Sequence, residues 1–495
     1  MIHGSKHMVR LVRFLYLPVK MAVGLACFML LLSSSMQLFG QSGDVVVTIH
    51  LRGVFQSKIS MLTLSPSGLF KPGPEIKEVK NGEKTQLKIA ANYLPGEFVL
   101  RFDYSEKENS SPYPCEKRIF ISDQDLELRV NPMFCNAPDS TWFEKGELEN
   151  TSFDRFSSES VMKKEQLGLL QNFLLNYDQP GSKFYQQGIR EYEQRRQSYN
   201  KWLSEKTYKD RGLFISTLYG FQYIPEISWE GSETDRTRSL IAHYFDGIDF
   251  NNPNLIKTSG MNKFLDGYVN LYGQMTTTIA LRDSLFPLAG KTAIEKAKKG
   301  HPLVYGWMVD YFYRGYESNN IPAGMKVLES YLNDPACPTS KRQEITRRLK
   351  GMESLIAGSK APDIEMNDLS DHPFDLYRFQ TASRYILILF WSTGCSHCME
   401  TVKALYPWSQ KPEIRDLISV IAIGLDETAE DQVRYLEEIK QLAGWQHFHA
   451  PEGVRSKVAS DYYILATPVM VLLNAAGKEI LAIPNSPAEL YESVH

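Results

Sequence analysis

The sequence predicts a three-part α+β chain: a β-sandwich first, an α-helical domain in the middle and an α/β domain at the C-terminus. Three observations carry this. Between about residues 44 and 137, short β-branched runs alternate with Pro and Gly breaks. From about 158 to 355, aromatic and aliphatic residues recur at helical spacing. After Gly358–Ser359–Lys360–Ala361–Pro362, fully apolar runs alternate with amphipathic ones, as buried strands joined by helices do. The expected divisions are a leader over 1–40, a β-rich domain over 41–138, a helical domain over 139–357 and an α/β domain over 358–495.

The first forty residues carry Lys6, Arg10, Arg13 and Lys20 and no acidic residue, then an apolar run over 21–32 followed by three serines. This is the pattern of a secretory signal. The run falls short of the roughly 20 apolar residues of a membrane-spanning helix. Cleavage is expected near Gly40–Gln41. Lipid attachment at Cys27 ranks below simple secretion, because Gly24 stands at the usual aliphatic position and the apolar run continues past the cysteine. The chain is therefore expected to be exported to the periplasm or cell envelope of a Gram-negative bacterium, without membrane attachment. A hydrophobic fraction of 43%, a charged fraction of 23% and a net charge of −3 are those of ordinary globular protein. No basic stripe appears, so nucleic acid is not an expected partner.

Val45–Val46–Val47–Thr48–Ile49 opens the β region, and 87–89 and 98–102 continue it. The runs 118–121 and 126–130 flank Asp123–Gln124–Asp125, which reads as a hairpin turn. Cys115 and Cys135 lie nearly equidistant from that turn, so a regular hairpin would set them opposite each other. In an oxidising compartment they are expected to form a structural disulfide, leaving Cys337 unpaired. In the helical region, Phe184, Tyr185, Ile189, Tyr192, Tyr199 and Trp202, and later Val304, Trp307, Met308, Tyr311 and Phe312, read as packing stripes rather than a cofactor box. No clean repeat period emerges. Asp246 and Asp249 read as capping and turn residues ahead of any cation site.

In the last part, strands are expected over 385–390, 418–425, 469–473 and 479–483, with helices over about 395–406 and 432–442. Ala475–Ala476–Gly477–Lys478 is expected to turn the final hairpin. Cys395–Ser396–His397–Cys398 falls where the first strand hands over to a helix. Unpaired N–H groups at a helix start favour a thiolate, the attacking species in disulfide exchange. A protonated His397 would add a second favourable charge. The rival for a CxxC pair is zinc, which wants four ligands. No second CxxC exists, and His447 and His449 read as ordinary residues of a strand, so no metal and no cofactor are expected.

The stretch Phe390–Trp391–Ser392–Thr393–Gly394–Cys395–Ser396–His397–Cys398, with the later Ala466–Thr467–Pro468, resembles the thioredoxin-like superfamily, most nearly its exported TlpA/ResA-like branch. The resemblance covers residues 358–495. It implies a thioredoxin fold, a cis peptide before Pro468 beside the cysteines, and binding of the client backbone by Thr467 in the manner of an added strand. Three departures are visible. Leu389 stands where thioredoxins often bury an Asp, Thr401 stands where ResA-like members often carry a Glu, and the helix lacks an early proline, with Pro407 expected to end it. Glu400 is a weak substitute as proton acceptor for Cys398. A peroxiredoxin would need Pro-x-x-x-Thr-x-x-Cys, but Ile388 and Ser392 hold those positions. Upstream, Tyr244–Phe245–Asp246–Gly247–Ile248–Asp249–Phe250 resembles domains of unknown function found ahead of exported thioredoxin-like domains.

These readings converge on protein thiol–disulfide exchange. Cys395 attacks, Cys398 resolves, His397 tunes the thiolate, and Thr467 and Pro468 position the client. The expected partners are client proteins with disulfides and an upstream redox protein as electron donor. The rivals are an oxidase or isomerase, and a binding protein in which the CxxC is incidental.

Overall fold

The computed structural model describes residues 43–494, Asn320 aside, so the expected leader lies outside the described residues. Eight strands build the β region: β1 (Val45–Leu51), β2 (Gln56–Leu64), β3 (Phe70–Lys80), β4 (Lys84–Ile89), β5 (Gly96–Ser105), β6 (Tyr113–Ile121), β7 (Leu126–Val130) and β8 (Trp142–Phe143). They form two four-stranded sheets, ordered β4-β1-β7-β8 and β3-β2-β5-β6. Alternate side chains of β1, such as Val47 and Ile49, share one buried cluster with Leu128 of β7 and with Ile59, Phe98 and Phe102 of the other sheet. Period-2 burial shared between two sheet faces is a β-sandwich.

One expected pairing is corrected. Residues 118–121 and 126–130 do not form a hairpin: β6 pairs antiparallel with β5, while β7 crosses to the other sheet and pairs parallel with β1. Alternation marks a strand but does not choose its neighbour. A parallel β1–β7 ladder joins segments some eighty residues apart, which no local pattern announces. Cys115 and Cys135 are nevertheless bonded, with Cα atoms 6.5 Å apart. The bridge runs from β6 of one sheet to the turn after β7 of the other. Strand β8 pairs with β7 and lies beyond residue 138.

The chain forms two compact units. One runs to Leu169 and takes in Ser204–Ser216; the other comprises Leu170–Leu203 and everything from Thr217 on. Two long helices, α1 (Glu149–Asn176) and α2 (Lys183–Lys209), give residues to both units. In the second unit, α3 (Glu233–His243), α4 (Ser259–Gln274), α5 (Ile279–Ala297), α6 (Pro302–Ser318), α7 (Pro322–Leu332) and α8 (Arg342–Ser354) follow. α6 shows why they form. Pro302 sits in its first turn, the His301 ring accepts from the Leu303 N–H, and Val304, Met308, Val309 and Phe312 recur at core spacing. They pack with Tyr268, Ile294, Leu328 and Ile345. Cys337 is buried in the same cluster, where a free thiol acts as a small apolar group. Asp249 caps its own turn through the Asn251 N–H, and Asp246 pairs with His243.

The α/β region begins with β9 (Glu365–Asn367) and β10 (Pro373–Asp375), a small hairpin. There follow β11 (Tyr385–Trp391), α9 (Ser396–Ser409), β12 (Ile418–Gly424), α10 (Ala429–Glu438), β13 (Gln446–His449), α11 (Lys457–Asp461), β14 (Val469–Asn474), β15 (Ile480–Ala482) and α12 (Pro487–Val494). The sheet order is β13-β12-β11-β14-β15. The first three strands run parallel, β14 pairs antiparallel with β11, and β15 pairs antiparallel with β14. All seven β11 residues are buried. Ile386, Ile388 and Phe390 pack on one face; Leu387, Leu389 and Trp391 pack on the other. Burial on both faces is why the strand reads as a continuous apolar run. Helix α9 continues through Pro407 to Ser409 rather than ending there. A proline in the last turn forfeits the bond its N–H would have made to the Lys403 carbonyl and crowds that carbonyl, a cost offset by the buried Leu405 and Trp408 on either side of it. Arg347 of α8 donates to the carbonyls of Val454 and Ala459, tying the helical part to the α/β part within this unit.

Candidate active site

The carboxyl end of β11, the central strand, delivers the chain into a tight turn. The Cys395 N–H donates to the Ser392 carbonyl at 3.3 Å and closes it. Cys395 then caps α9: its backbone is extended (φ −107°, ψ 111°), and its sulfur accepts from the Cys398 N–H at 3.2 Å. A side-chain acceptor aimed at the third N–H of a helix is the N-cap arrangement, with sulfur in place of the usual oxygen. The Cys395 thiol also lies 3.5 Å from the Thr467 carbonyl, to which it donates. The Thr467–Pro468 peptide is cis. Cys395, Cys398 and Thr467–Pro468, seventy residues apart in sequence, are thus drawn together.

The two sulfurs differ. Cys395 is half-buried, whereas Cys398 is fully buried under β11 with Leu389, Trp391 and Val402. Both are free thiols in this structure. Burial first and the neighbouring Cys395 thiol second push the Cys398 thiol up to about 12, against the opposing pull of the Thr467 side chain and the Ser392 backbone. Because the folded state disfavours the Cys398 thiolate, the reduced protein keeps its full stability below about pH 9 and loses it as pH rises towards 12. Iodoacetamide at pH 8 should therefore place one adduct on the reduced native active site, on Cys395. Mass spectrometry of peptides from the quenched protein checks this; rapid labelling of Cys398 would refute it. Cys337 is buried and serves as an internal unreactive control.

The expected tuning residue stands apart from this core. His397 is exposed on α9, with Nδ1 3.7 Å from the exposed Glu400 carboxylate. Such a surface pair contributes little. His447 and His449 turn their Nε2 atoms to the Leu442 and Asp426 carbonyls. Among the described residues, no group of three or more His, Cys, Asp or Glu side chains is arranged to hold a metal ion.

Sequence reading missed Asp426. It follows β12 and is almost completely buried. Its Oδ1 accepts from the Ser392 hydroxyl (2.9 Å), the Thr393 N–H (2.8 Å) and the Thr393 hydroxyl (2.7 Å). Its Oδ2 is buried without a hydrogen-bond partner. The available signal was a carboxylate placed directly after an apolar strand parallel to β11, at the sheet end where sites gather in α/β folds. Gly424 sets its surroundings: a Cβ there would come within 2.4 Å of the Tyr435 ring, so only glycine lets α10 pack this closely.

Residues 383–479 match the family model described as thioredoxin-like, and the C-terminal domain is thioredoxin-like. No curated protein matches the chain. Among solved structures, the chain is similar to a thioredoxin-like protein from Bacteroides caccae, at 20% identity over 55% of this chain and 96% of that one, with a TM-score of 0.37. It is similar to a thiol:disulfide interchange protein from a Bacteroides species, at 28% identity over 28% of this chain and 89% of that one, TM-score 0.24. A third is the thioredoxin domain of a thiol-disulfide oxidoreductase from Bacteroides vulgatus, at 27% identity over 28% and 96%, TM-score 0.24.

Proposed function

We propose that the protein is an exported thiol–disulfide oxidoreductase of TlpA/ResA-like type that reduces disulfides in client proteins through Cys395 and Cys398. The observation that carries the reading is the asymmetry of the pair: an accessible sulfur capping a helix, and a buried thiol one turn behind it. The Cys395 thiolate attacks one client sulfur. A Cys395–client bond forms, the client disulfide breaks, and the second client sulfur leaves as a thiolate and takes a proton. Cys398 then gives up its proton and attacks the Cys395 sulfur: the Cys395–Cys398 disulfide forms, the Cys395–client bond breaks, and the first client sulfur leaves as a thiolate that takes up a proton. The client gains two electrons and the dithiol loses two. A dithiol donor protein of the envelope restores the pair. Thr467 and Pro468 bind the client backbone beside Cys395, and no cofactor takes part.

The basic leader and apolar run support export to the periplasm or envelope. The test is insulin reduction by the full chain without its leader, alongside the equilibrium potential of the pair. Turnover with dithiothreitol and a potential near that of thioredoxin, about −270 mV, is the expected result. A potential near about −120 mV would make it an oxidant. No turnover in either direction would leave a binding protein.

A further inference from the structure

We propose that Asp426 is the positioning residue of the dithiol site: its buried Oδ1 clamps the Ser392–Cys395 turn and so fixes where both cysteine sulfurs stand. The inference rests on the proposed exchange reaction and deepens it. A single carboxylate oxygen takes three donors from two consecutive residues, the Ser392 hydroxyl, the Thr393 N–H and the Thr393 hydroxyl. These are the residues that shape the turn. The Ser392 carbonyl receives the Cys395 N–H, and the Ser392 hydroxyl receives the Gly394 N–H. The Ser392 backbone also interacts with the Cys398 thiol and favours its ionised form. Ser392 therefore touches both halves of the dithiol, and Asp426 holds Ser392.

The clamp is itself braced. The Asp426 carbonyl faces His449 Nε2 at 3.0 Å and Gln432 Nε2 at 3.5 Å. The Leu425 N–H donates to the Trp391 carbonyl, and the Ala450 N–H to the Gly424 carbonyl. The carboxylate thus hangs from the sheet, while the turn it holds carries the cysteines. Its second oxygen is buried and unpartnered. Leaving a buried polar atom unsatisfied is costly, and such atoms call for a reason beyond packing. Positioning a reactive pair is such a reason, since small displacements of reacting groups cost much rate. Leu389, six residues ahead of Cys395 on β11, is 0% exposed and apolar, so β11 itself brings no carboxylate to the turn. The nearest buried carboxylate to the turn comes instead from the neighbouring strand.

The experiment compares Asp426→Asn with Asp426→Ala in the full chain. Both remove the charge, but only Ala removes the Oδ1 acceptor, so any gap between them belongs to the clamp. The first readout needs no client: the equilibrium constant for closing Cys395–Cys398 against glutathione. Ala is expected to change it about tenfold, a hydrogen bond's worth, while Asn stays within about threefold of wild type. Insulin reduction should fall in parallel in Ala alone. If Asp426→Ala does not fold, Ser392→Ala combined with Thr393→Val removes the two hydroxyl donors, leaves the Thr393 N–H, and should reproduce most of its loss. Equal constants for Ala and Asn, or a wild-type constant in Ala, would overturn the inference. A changed constant in Ala with a wild type that reduces no disulfide would instead overturn the proposed function and leave the clamp standing.

Discussion

Cys398→Ser protein, expressed in its native host and quenched in acid, should carry clients covalently on Cys395. The mixed disulfide forms by attack of the accessible, half-buried sulfur and is resolved by the fully buried one. Only Cys395 has the access to begin, being half-buried and at the mouth of the turn, whereas Cys398 is fully buried and its thiol is pushed up to about 12. Serine fits the Cys398 cavity and keeps a hydroxyl near Thr467, so attack persists while resolution stops. Well-placed intramolecular groups reach effective molarities on the order of 10⁵ M, which millimolar external thiols do not replace. Turnover should fall to background, and reductant-sensitive adducts should appear on a non-reducing gel. Cys395→Ser should show neither turnover nor adducts. Adducts of equal intensity in both variants would reverse the assigned roles.

Removing the β-sandwich bridge is expected to cost about 3 kcal/mol in the chain-entropy account, given the 20-residue separation of Cys115 and Cys135. Alanine is the right replacement, because Cys135 is buried and a serine hydroxyl there would need a partner. Cys115→Ala/Cys135→Ala protein should unfold its β-sandwich at a urea midpoint about 1–3 M lower, for slopes of about 1–3 kcal/mol/M. Dithiothreitol should move wild type the same way and leave the double variant where it is. An unchanged midpoint in both experiments would show that the bridge restrains nothing the two sheets do not already hold. The location argues otherwise. The bond spans two sheets whose backbone ladders run within each sheet, so that side-chain packing and the Asn136 side chain's bond to the Glu116 carbonyl are what it reinforces.

Cys395 and Cys398 were legible because spacing and setting are local: two cysteines three apart, directly after a run that only a doubly buried strand explains. The strands of the α/β part were legible for the same reason, and Thr467–Pro468 only through resemblance. The links between distant segments were not. β6 and β7 each read as strands, yet their order in two different sheets depends on β1 and β5, far off in the chain. Helix α9 passes Pro407 because the core of Leu405 and Trp408 holds its last turn, a packing fact that propensity does not contain.

Asp426 marks the division most clearly. By itself the sequence determined the order of the three parts, the burial of β11 and the adjacency of the two cysteines, since each follows from spacing along one stretch of chain. Only the tertiary structure decided that β12 lies beside β11 in parallel register, Leu389 opposite Ala422 and Trp391 opposite Gly424. That register sets a carboxylate two residues past Gly424 against the turn after Trp391. The physical reason is that a ladder of backbone hydrogen bonds fixes the partner and register of a strand, and a shift of one residue would send Asp426 to the opposite face of the sheet.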